Sequence, residues 1–360
     1  MAEQFDIELS HCRKRYGAFS VLDDVSLQVK RGEFITVLGP SGCGKTTTLR
    51  AIGGFMTPDS GRISIRGREV THLPPYKRNI GVVFQNYALW PHMTVAEILG
   101  FGLRIRKLPR EEIARRVDRA LGMVQLTGLK DRYPRELSGG QQQRVAMARA
   151  LAIDPEVIIL DEPLSNLDRR LREELRIELK RLQRSLGVTM LFVTHDQEEA
   201  LSMSDQVVVM QSGRIQQVAD PRTVYERPAN RFVAGFLGSA NFLTGELVSD
   251  AQEDKAQVKL GNGAVVGAYT PSAKFAGDRV TVVVRPEWFV LERQSDQPRE
   301  NQLEGTVGDV IYEGSAVRYG ISLDHDPAAP VFLQERSNAD VLKPGDKVRL
   351  NVTNAVIATD

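Results

Sequence analysis

The spacing of hydrophobic residues divides the chain into two regions with different periodicities. In the first region, four apolar runs predict buried strands at residues 33–38, 80–84, 157–160 and 190–194. Between them, apolar residues recur at helical spacing over residues 45–55, 88–151 and 167–186. Buried strands that alternate with helices are typical of an α/β fold with a parallel sheet. Within that fold, residues 88–151 predict a helical subdomain.

The periodicity changes after about Gly238. Long helical patterns stop, and short alternating stretches between glycine, proline and aspartate turns predict strands at residues 243–248, 279–285, 305–312, 316–321 and 347–352. Short strands with frequent turns are typical of small β-barrels. The sequence therefore predicts an α/β domain at residues 1–238 and an all-β barrel domain at residues 239–360.

Composition and the lack of long apolar segments indicate the cellular compartment of the protein. No window approaches the roughly 18 consecutive apolar residues that a membrane-spanning helix needs, and the first residues carry no basic and then apolar signal pattern. The two cysteines, Cys12 and Cys43, form no disulfide framework, which is typical of a reducing cytoplasm. We therefore expect a cytoplasmic protein whose membrane role, if it has one, is peripheral.

The two regions carry opposite net charges. Residues 1–240 hold 35 Lys/Arg and 28 Asp/Glu, a net charge of +7, and residues 241–360 hold 12 and 18, a net charge of −6. Seven basic residues lie between Arg104 and Arg119, a segment that fits a solvated helix face or a partner-binding surface equally well. A nucleic-acid binder usually shows a denser basic patch, so this balance disfavours that class.

Residues 39–46, Gly-Pro-Ser-Gly-Cys-Gly-Lys-Thr, match the pattern G-x-x-x-x-G-K-[ST] at every fixed position. Glycines let successive backbone N–H groups turn toward phosphate oxygens, where a Cβ would crowd them. A helix that begins at Lys45 points its positive end at the same anion. Lys45 adds a point charge, and the Thr46 hydroxyl is a ligand for Mg2+. This phosphate loop predicts that the chain binds a nucleoside triphosphate.

Polar side chains follow three of the predicted buried strands. Asp161 and Glu162 end one strand, and Gln85 and His195 each end another. The carboxyl ends of parallel strands share one edge of the sheet, where α/β proteins bind their ligands. Asp161 is suited to hold Mg2+, and Glu162 to polarise an attacking water. Gln85 and His195 fit a sensing role at the γ-phosphate, although each alone also fits a structural strand end.

Residues 137–141, Leu-Ser-Gly-Gly-Gln, form a second candidate anion site. A hydroxyl, two glycine amides and a helix N-terminus combine there. One nucleotide already has its phosphates in the first loop, so a second loop is redundant within one subunit. The redundancy disappears if these residues complete the site of another subunit.

Together these motifs resemble an ABC-transporter ATPase over residues 5–240, and Leu-Ser-Gly-Gly-Gln is the most specific of them. The resemblance implies a P-loop NTPase fold of the ABC ATPase type. The positions that carry the resemblance are Tyr16, residues 39–46, Gln85, residues 137–141, residues 157–162, residues 165–168 and His195.

The resemblance implies that ATP and Mg2+ are the cofactors. Tyr16 would stack on the adenine, and the metal would be held by Thr46, Gln85 and Asp161. The phosphates would be bound by Gly39, Ser41, Gly42, Cys43, Gly44, Lys45, Thr46 and Thr47.

The resemblance also implies hydrolysis within a head-to-tail homodimer. Glu162 would be the catalytic base, Gln85 would report to a membrane partner, and His195 would contact the γ-phosphate. Asp168 would communicate between the two sites. The contacts to the nucleotide of the second subunit would come from Ser138, Gly139, Gly140 and Gln141.

The C-terminal region narrows the resemblance to importers. Residues 282–287 and 305–314 resemble the OB-like, TOBE-type regulatory barrel of importer ATPases. Residues 86–95 and 193–200 are most similar to the polyamine, iron(III), phosphonate and sugar subfamilies, with a spermidine/putrescine type favoured. Such a protein would be peripheral at the cytoplasmic face of the inner membrane. Its partners would be two integral-membrane permease subunits and an extracytoplasmic solute-binding protein.

Two other classes involve nucleic acid. Soluble ABC ATPases that act on DNA or ribosomes usually carry two ATPase units, zinc cysteines or a coiled-coil insertion, and this sequence has none of these. An OB-like barrel also binds single strands through aromatic residues and a basic groove, but residues 241–360 are net negative. We therefore expect no nucleic-acid partner.

Cys43 lies among backbone amides beside Lys45. A positive environment favours the thiolate form of cysteine. The sequence therefore predicts that Cys43 is alkylated readily and that MgATP shields it.

Overall fold

Two compact units, Met1–Pro221 and Arg222–Asp360, make up the computed structural model of the chain. We refer to them as the first and second units. The structure describes residues 4–165, 167–248, 254–261, 263–270, 277–292, 301–324, 326–337 and 341–359.

The first unit alternates strands and helices, as the hydrophobic pattern predicts. Its strands are β1 (Phe5–Tyr16), β2 (Phe19–Lys30), β3 (Phe34–Leu38), β4 (Ser60–Ile65), β5 (Arg68–Glu69), β6 (Ile80–Val83), β7 (Val157–Asp161), β8 (Thr189–Thr194), β9 (Gln206–Gln211) and β10 (Arg214–Ala219). Its helices are α1 (Lys45–Gly53), α2 (Val95–Ile105), α3 (Arg110–Met123), α4 (Gly139–Ala152), α5 (Arg169–Leu186) and α6 (Gln197–Met203).

A six-stranded sheet forms the centre of the first unit, in the order β10-β9-β3-β8-β7-β6. All neighbouring pairs from β9 to β6 are parallel, and only β10 runs antiparallel to its neighbour. Strands β3 and β8 are buried at every residue, because layers cover both faces of the sheet. This parallel arrangement brings the carboxyl ends of β3, β6, β7 and β8 to one edge.

A second, antiparallel sheet in the order β2-β1-β4-β5 covers one face of the parallel sheet. Its buried residues, such as Ile7 and Ile63, share a hydrophobic core with α1 and with Val37 of β3. Tyr16 ends β1 and pairs with Phe19 of β2 across a two-residue turn, and Gly17 supplies that turn with a positive φ of 61°.

Helices α2, α3 and α4 pack together as the predicted helical segment. They share a core with the other face of the parallel sheet, including Leu103, Val117 and Val145. Helix α2 begins with a capping box, in which the Thr94 hydroxyl accepts from the Glu97 amide and the Glu97 carboxylate accepts from the Thr94 amide. Across the described ranges, no helix has both the length and the apolar character needed to cross a bilayer.

The second unit contains two short helices, a closed barrel and a further sheet. The sequence predicted a barrel alone. The barrel has the order β11-β12-β13-β20-β14 and the five-stranded sheet the order β15-β19-β16-β17-β18. The elements are α7 (Pro221–Glu226), α8 (Arg231–Phe236), β11 (Asn241–Leu247), β12 (Lys255–Leu260), β13 (Val265–Tyr269), β14 (Arg279–Val284), β15 (Phe289–Glu292), β16 (Gln302–Tyr312), β17 (Ala316–Leu323), β18 (Asp326–Arg336), β19 (Lys347–Val352) and β20 (Val356–Ala358).

Arg285, which follows β14, is fully buried and joins the two short helices to the barrel. Its guanidinium donates to the carbonyl oxygens of Tyr225 and Leu237 at 2.9–3.0 Å and stacks on the Tyr225 ring at 3.6 Å. Burial lowers the pKa of this guanidinium. These contacts explain why residues 222–238 pack with the β elements, although the change in composition comes only after Gly238.

Candidate nucleotide site

The phosphate loop connects β3 to α1, and three of its glycines are required by geometry. Gly44 precedes α1 with a φ of 109°, and Gly42 has a φ of 78°. A Cβ on Gly44 would lie 2.7 Å from the carbonyl oxygen of Val21 in β2, which is too close for any real contact. A Cβ on Gly39 would overlap the carbonyl oxygen of Met210. The loop is therefore held from behind by neighbouring backbone.

Lys45 is the first residue of α1, and its side chain is buried within the loop. Its ammonium donates to the carbonyl oxygens of Gly39 at 2.8 Å and Pro40 at 3.0 Å. The cation thus lies against the curve of the loop, while Ser41 and Gly42 face solvent. Thr46 and Thr47 follow in the first turn of α1 and are half-buried.

The structure contradicts the expectation of a reactive Cys43. The side chain is buried, and burial raises the pKa of its thiol, a change that the nearby Lys45 only partly opposes. Loss of hydration therefore outweighs the positive neighbour. The Cys43 carbonyl accepts a hydrogen bond of 2.9 Å from the amide of Gly213, in the turn between β9 and β10, and the Gly213 carbonyl in turn accepts from the Asp23 amide.

Asp161 and Glu162 lie at the carboxyl end of β7, beside the phosphate loop. Burial raises the pKa of the Asp161 carboxyl, the Glu162 charge raises it further, and Arg50 and Lys45 oppose the shift. Glu162 has a positive φ of 45°, and its amide donates to the Val193 carbonyl at 3.0 Å. This turn directs the chain away from the sheet immediately after the two carboxylates.

The side chains of Gln85 and His195 both approach the same carboxylate oxygen, the Oε2 of Glu162. The Gln85 amide nitrogen lies 3.4 Å from this oxygen, and the His195 Nδ1 lies 3.3 Å from it. The His195 side chain is 61% exposed and the Glu162 side chain 21%. The structure therefore brings together the three residues predicted to be catalytic, at distances that leave room to tighten.

Sequence reasoning assigned no role to Ser165, which belongs to this cluster. Its hydroxyl lies 3.3 Å from the Gln85 amide nitrogen and donates to the Glu162 carbonyl at 2.9 Å. Its sequence signals were its place in the 165–168 motif and its position three residues after Glu162, where a serine closes a turn on the preceding carbonyl.

Arg149 was also missed, and it fixes the segment that follows Gln85. Tyr87 and Ala88 both have positive φ values, of 60° and 46°, a costly conformation for residues with side chains. The guanidinium of Arg149 in α4 donates to their carbonyl oxygens at 3.0 and 2.6 Å. The helix that begins at Ser138 therefore ends by holding the backbone that carries Gln85.

Residues 138–141 form the start of α4. The Ser138 hydroxyl accepts from the Gln141 amide at 3.3 Å, and the Gln141 side-chain oxygen accepts from the Ser138 amide at 2.9 Å. Ser138 and Gly139 are exposed, whereas Gly140 is buried with Leu171 behind it. The structure does not unite these residues with the phosphate loop of the same chain.

Two predicted residues lie at the edges of the site. Tyr16 is 56% exposed, and the Lys14 ammonium lies 5.6 Å from the centre of its ring. Asp168 caps α5, and its carboxylate accepts from the Leu171 amide at 3.0 Å.

Comparison with known proteins places this geometry in a family. The ABC transporter family model matches residues 22–165, and the TOBE domain model matches residues 282–358. The spermidine/putrescine import ATP-binding protein PotA of Rubrobacter xylanophilus is 45% identical over 344 residues, covering 95% of this chain and 90% of the relative. The protein of the same name from Pseudomonas fluorescens is 48% identical over 341 residues, covering 94% and 92%. The chain belongs to the ABC transporter ATP-binding proteins.

Solved structures of ABC transporter ATPases match 60–62% of the chain. The structure of cbiO1 from Clostridium perfringens, part of the ABC transporter complex cbiONQ, has a TM-score of 0.58 and 33% identity and covers 62% of this chain and 91% of that chain. The dimeric structure of the bacterial ABC transporter cassette MJ0796 has a TM-score of 0.54 and 33% identity and covers 60% and 99%. As an ABC transporter ATP-binding protein, the chain binds a nucleotide and is an ATPase.

Proposed function

We propose that this chain is the ATP-hydrolysing subunit of an importer for polyamines of the spermidine/putrescine class. The observation that carries the proposal is the likeness to import ATP-binding proteins of that name, which extends through both units and covers at least 90% of each compared chain. The matched solved structures of ABC transporter ATPases cover a smaller share of the chain, 60–62%.

The first unit fits MgATP in its chemistry. Magnesium prefers oxygen ligands, and Thr46, Gln85 and Asp161 offer a hydroxyl, an amide oxygen and a carboxylate at one sheet edge. The raised pKa of Asp161 shows that its charge is costly there, and a bound cation would offset that cost. The described part of the chain contains no cluster of three or more His, Cys, Asp or Glu that could hold a metal. Phosphate oxygens of a bound nucleotide would complete the shell of such an ion. When bound, Mg2+ supplies positive charge at the phosphates.

The residues around Glu162 fit the hydrolysis of the terminal phosphate. The Glu162 Oε2 accepts a proton from the attacking water as the new O–P bond forms and the bond to ADP breaks. His195 and Gln85 contact this carboxylate, and both would face the γ-phosphate of a bound nucleotide. Lys45 and the loop amides bind the other phosphates, and Tyr16 stacks on the adenine.

A second copy of the chain would complete each site. Ser138 and Gly139 are exposed at a helix N-terminus, which suits an anion brought by another subunit. The dimeric MJ0796 structure supports this arrangement. Asp168 would communicate between the two sites. The dimer would act at the cytoplasmic face of the inner membrane, with two permease subunits and an extracytoplasmic solute-binding protein.

The test is ATP hydrolysis by this chain reconstituted in liposomes with its cognate permease and binding protein. We expect hydrolysis to rise when the binding protein carries spermidine or putrescine. A rise in hydrolysis with iron(III), a phosphonate or a sugar instead would support the importer function but assign it a different solute. Stimulation by single-stranded oligonucleotide, with none by any solute, would overturn the proposal in favour of a nucleic-acid ATPase.

A further inference from the structure

Arg172 lies one helical turn into α5 and is bonded to the segment that precedes this helix. Its guanidinium donates to the Leu167 carbonyl at 3.1 Å, and its own amide donates to the Asp168 carbonyl at 3.0 Å. Asp168 is the residue proposed to communicate between the two sites. Arg172 is thus attached to that segment through the backbone.

The same guanidinium reaches the loop that carries His195. Its Nη1 lies 3.5 Å from the Asp196 carboxylate, and its Nε lies 3.9 Å from the Oε1 of Glu199. Arg172 is therefore a direct link between α5 and the residue next to His195.

Residues on both sides of His195 belong to this network. The Thr194 hydroxyl donates to Glu199 at 2.5 Å and accepts from the Asp196 amide at 3.0 Å. Asp196 in turn caps α6 by accepting from the Glu199 amide at 3.1 Å. The position of His195 thus depends on groups that Arg172 contacts.

One donor of the Arg172 guanidinium makes no hydrogen bond to the His195 loop or to α6. The Nε of Arg172 is buried and has no hydrogen-bond partner among the described residues. Glu199 faces it from within ion-pair distance, but 3.9 Å exceeds a hydrogen bond by about 1 Å. Glu199 is almost fully buried, so neither group has water as an easy substitute. A shift of α5 toward α6 by about that distance would close the bond.

We infer that Arg172 is a positioning residue that couples the Leu167–Asp168 segment to the His195 loop. When a second copy docks on Asp168, the segment and Arg172 shift together, and His195 moves into line with the phosphate it contacts. This inference rests on the proposed roles of His195 and Asp168.

The test measures steady-state ATP hydrolysis of Arg172→Met in the wild-type and His195→Ala backgrounds. In the wild-type background we expect kcat to fall by about 10- to 100-fold, the cost of a misplaced catalytic group, with KM for ATP unchanged. In the His195→Ala background we expect no further fall, because Arg172 acts through His195. Arg170→Met, on the same helix but 91% exposed and paired with Glu174, is the matched control and should leave kcat unchanged.

The outcomes separate this inference from the proposed function. Equal losses from Arg172→Met in both backgrounds would indicate a general structural role and overturn the inference alone. An unchanged kcat in Arg172→Met would also overturn it. A His195→Ala protein with full activity would remove the proposed role of His195 as well. If Arg172→Met fails to fold, Arg172→Lys repeats the cycle, since it keeps the charge and loses the fork that spans both loops.

Discussion

The two proposed halves of the nucleotide site, the phosphate loop with its neighbours and residues 138–141, are built differently. The phosphate-loop half collects the ends of four strands that are distant in sequence, and its hydrogen bonds cross between them, as from Gln85 to Glu162. The half at residues 138–141 satisfies its own helix end through the Ser138 and Gln141 pair. The first half therefore depends on the whole unit, whereas the second is a local structure that is complete before any partner arrives.

This difference predicts different effects for substitutions in the two halves. Changes in the phosphate-loop half should alter chemistry or stability within one chain. Changes at residues 138–141 should leave the chain folded and act on the nucleotide of the other subunit.

The largest effect is expected for Glu162→Gln. The amide keeps the shape of the side chain but does not accept the proton, so ATP should bind and hydrolysis should slow by at least ~100-fold. The ATP-bound dimer should accumulate and be visible by size-exclusion chromatography. Glu173→Gln, an exposed glutamate paired with Arg169, is the control and should hydrolyse normally. Normal turnover in Glu162→Gln would remove this residue from its role.

The second prediction separates the two halves directly. Ser138→Arg damages only the second half and Lys45→Ala only the first, so each homodimer should trap no nucleotide. A mixed dimer of the two variants combines the undamaged halves into one intact composite site, and should regain trapping there. Purified mixed dimers with vanadate and labelled ATP measure this. Trapping absent from every mixture would mean that the halves do not combine between chains.

A third prediction concerns stability within the phosphate-loop half. Arg149→Met removes the donor that holds the Tyr87 and Ala88 carbonyls, and should lower the free energy of unfolding of the first unit by about 1.5–3 kcal/mol, the range for hydrogen bonds to a charged group. Arg144→Met on the same helix breaks only a half-exposed pair with Glu178 and should cost about 1 kcal/mol or less. Urea denaturation compares the two. Equal costs would show that the strained backbone does not need Arg149.

The smallest effect concerns Cys43. Because burial raises the pKa of its thiol, little thiolate exists at neutral pH, and the rate of alkylation should still climb as the pH passes 9. Labelling in a Cys12→Ala background, followed by mass spectrometry, isolates this residue. We expect slow labelling near pH 7 and a further slowing with MgATP. An alkylation rate that levels off below pH 8 would instead support the prediction from the sequence that Cys43 is a reactive thiolate.

Much of the first unit could be predicted because its signals are local. Buried parallel strands are continuous apolar runs, and the helix starts at Lys45, Thr94 and Ser138 each have a nearby capping or glycine signal. The site residues followed from motifs of a few positions. Their contacts did not: Gln85 and Glu162 lie 77 positions apart, and the links made by Arg149 and Arg172 depend on how helices pack.

The second unit was harder to predict because its strands are defined by their neighbours. β20 has only three residues and is held by pairing with β13 and β14, so the sequence alone gives little reason to expect it. β12, β13, β15 and β18 were missed for the same reason. The buried charge of Arg285 also had no local signal, since its acceptors are backbone carbonyls up to 60 positions away.

The hydrogen bond from Gly213 to the Cys43 carbonyl has a consequence for the speed of nucleotide binding. Backbone groups behind the phosphate loop hold its curve, so the loop does not have to fold around its ligand. Association of ATP with one chain should then be limited by encounter and orientation, because binding that requires a conformational change is slower. Residence time would instead be set by how long a second copy stays closed over the loop. The lifetime of bound ATP is then a property of the pair, while its arrival is a property of the single chain.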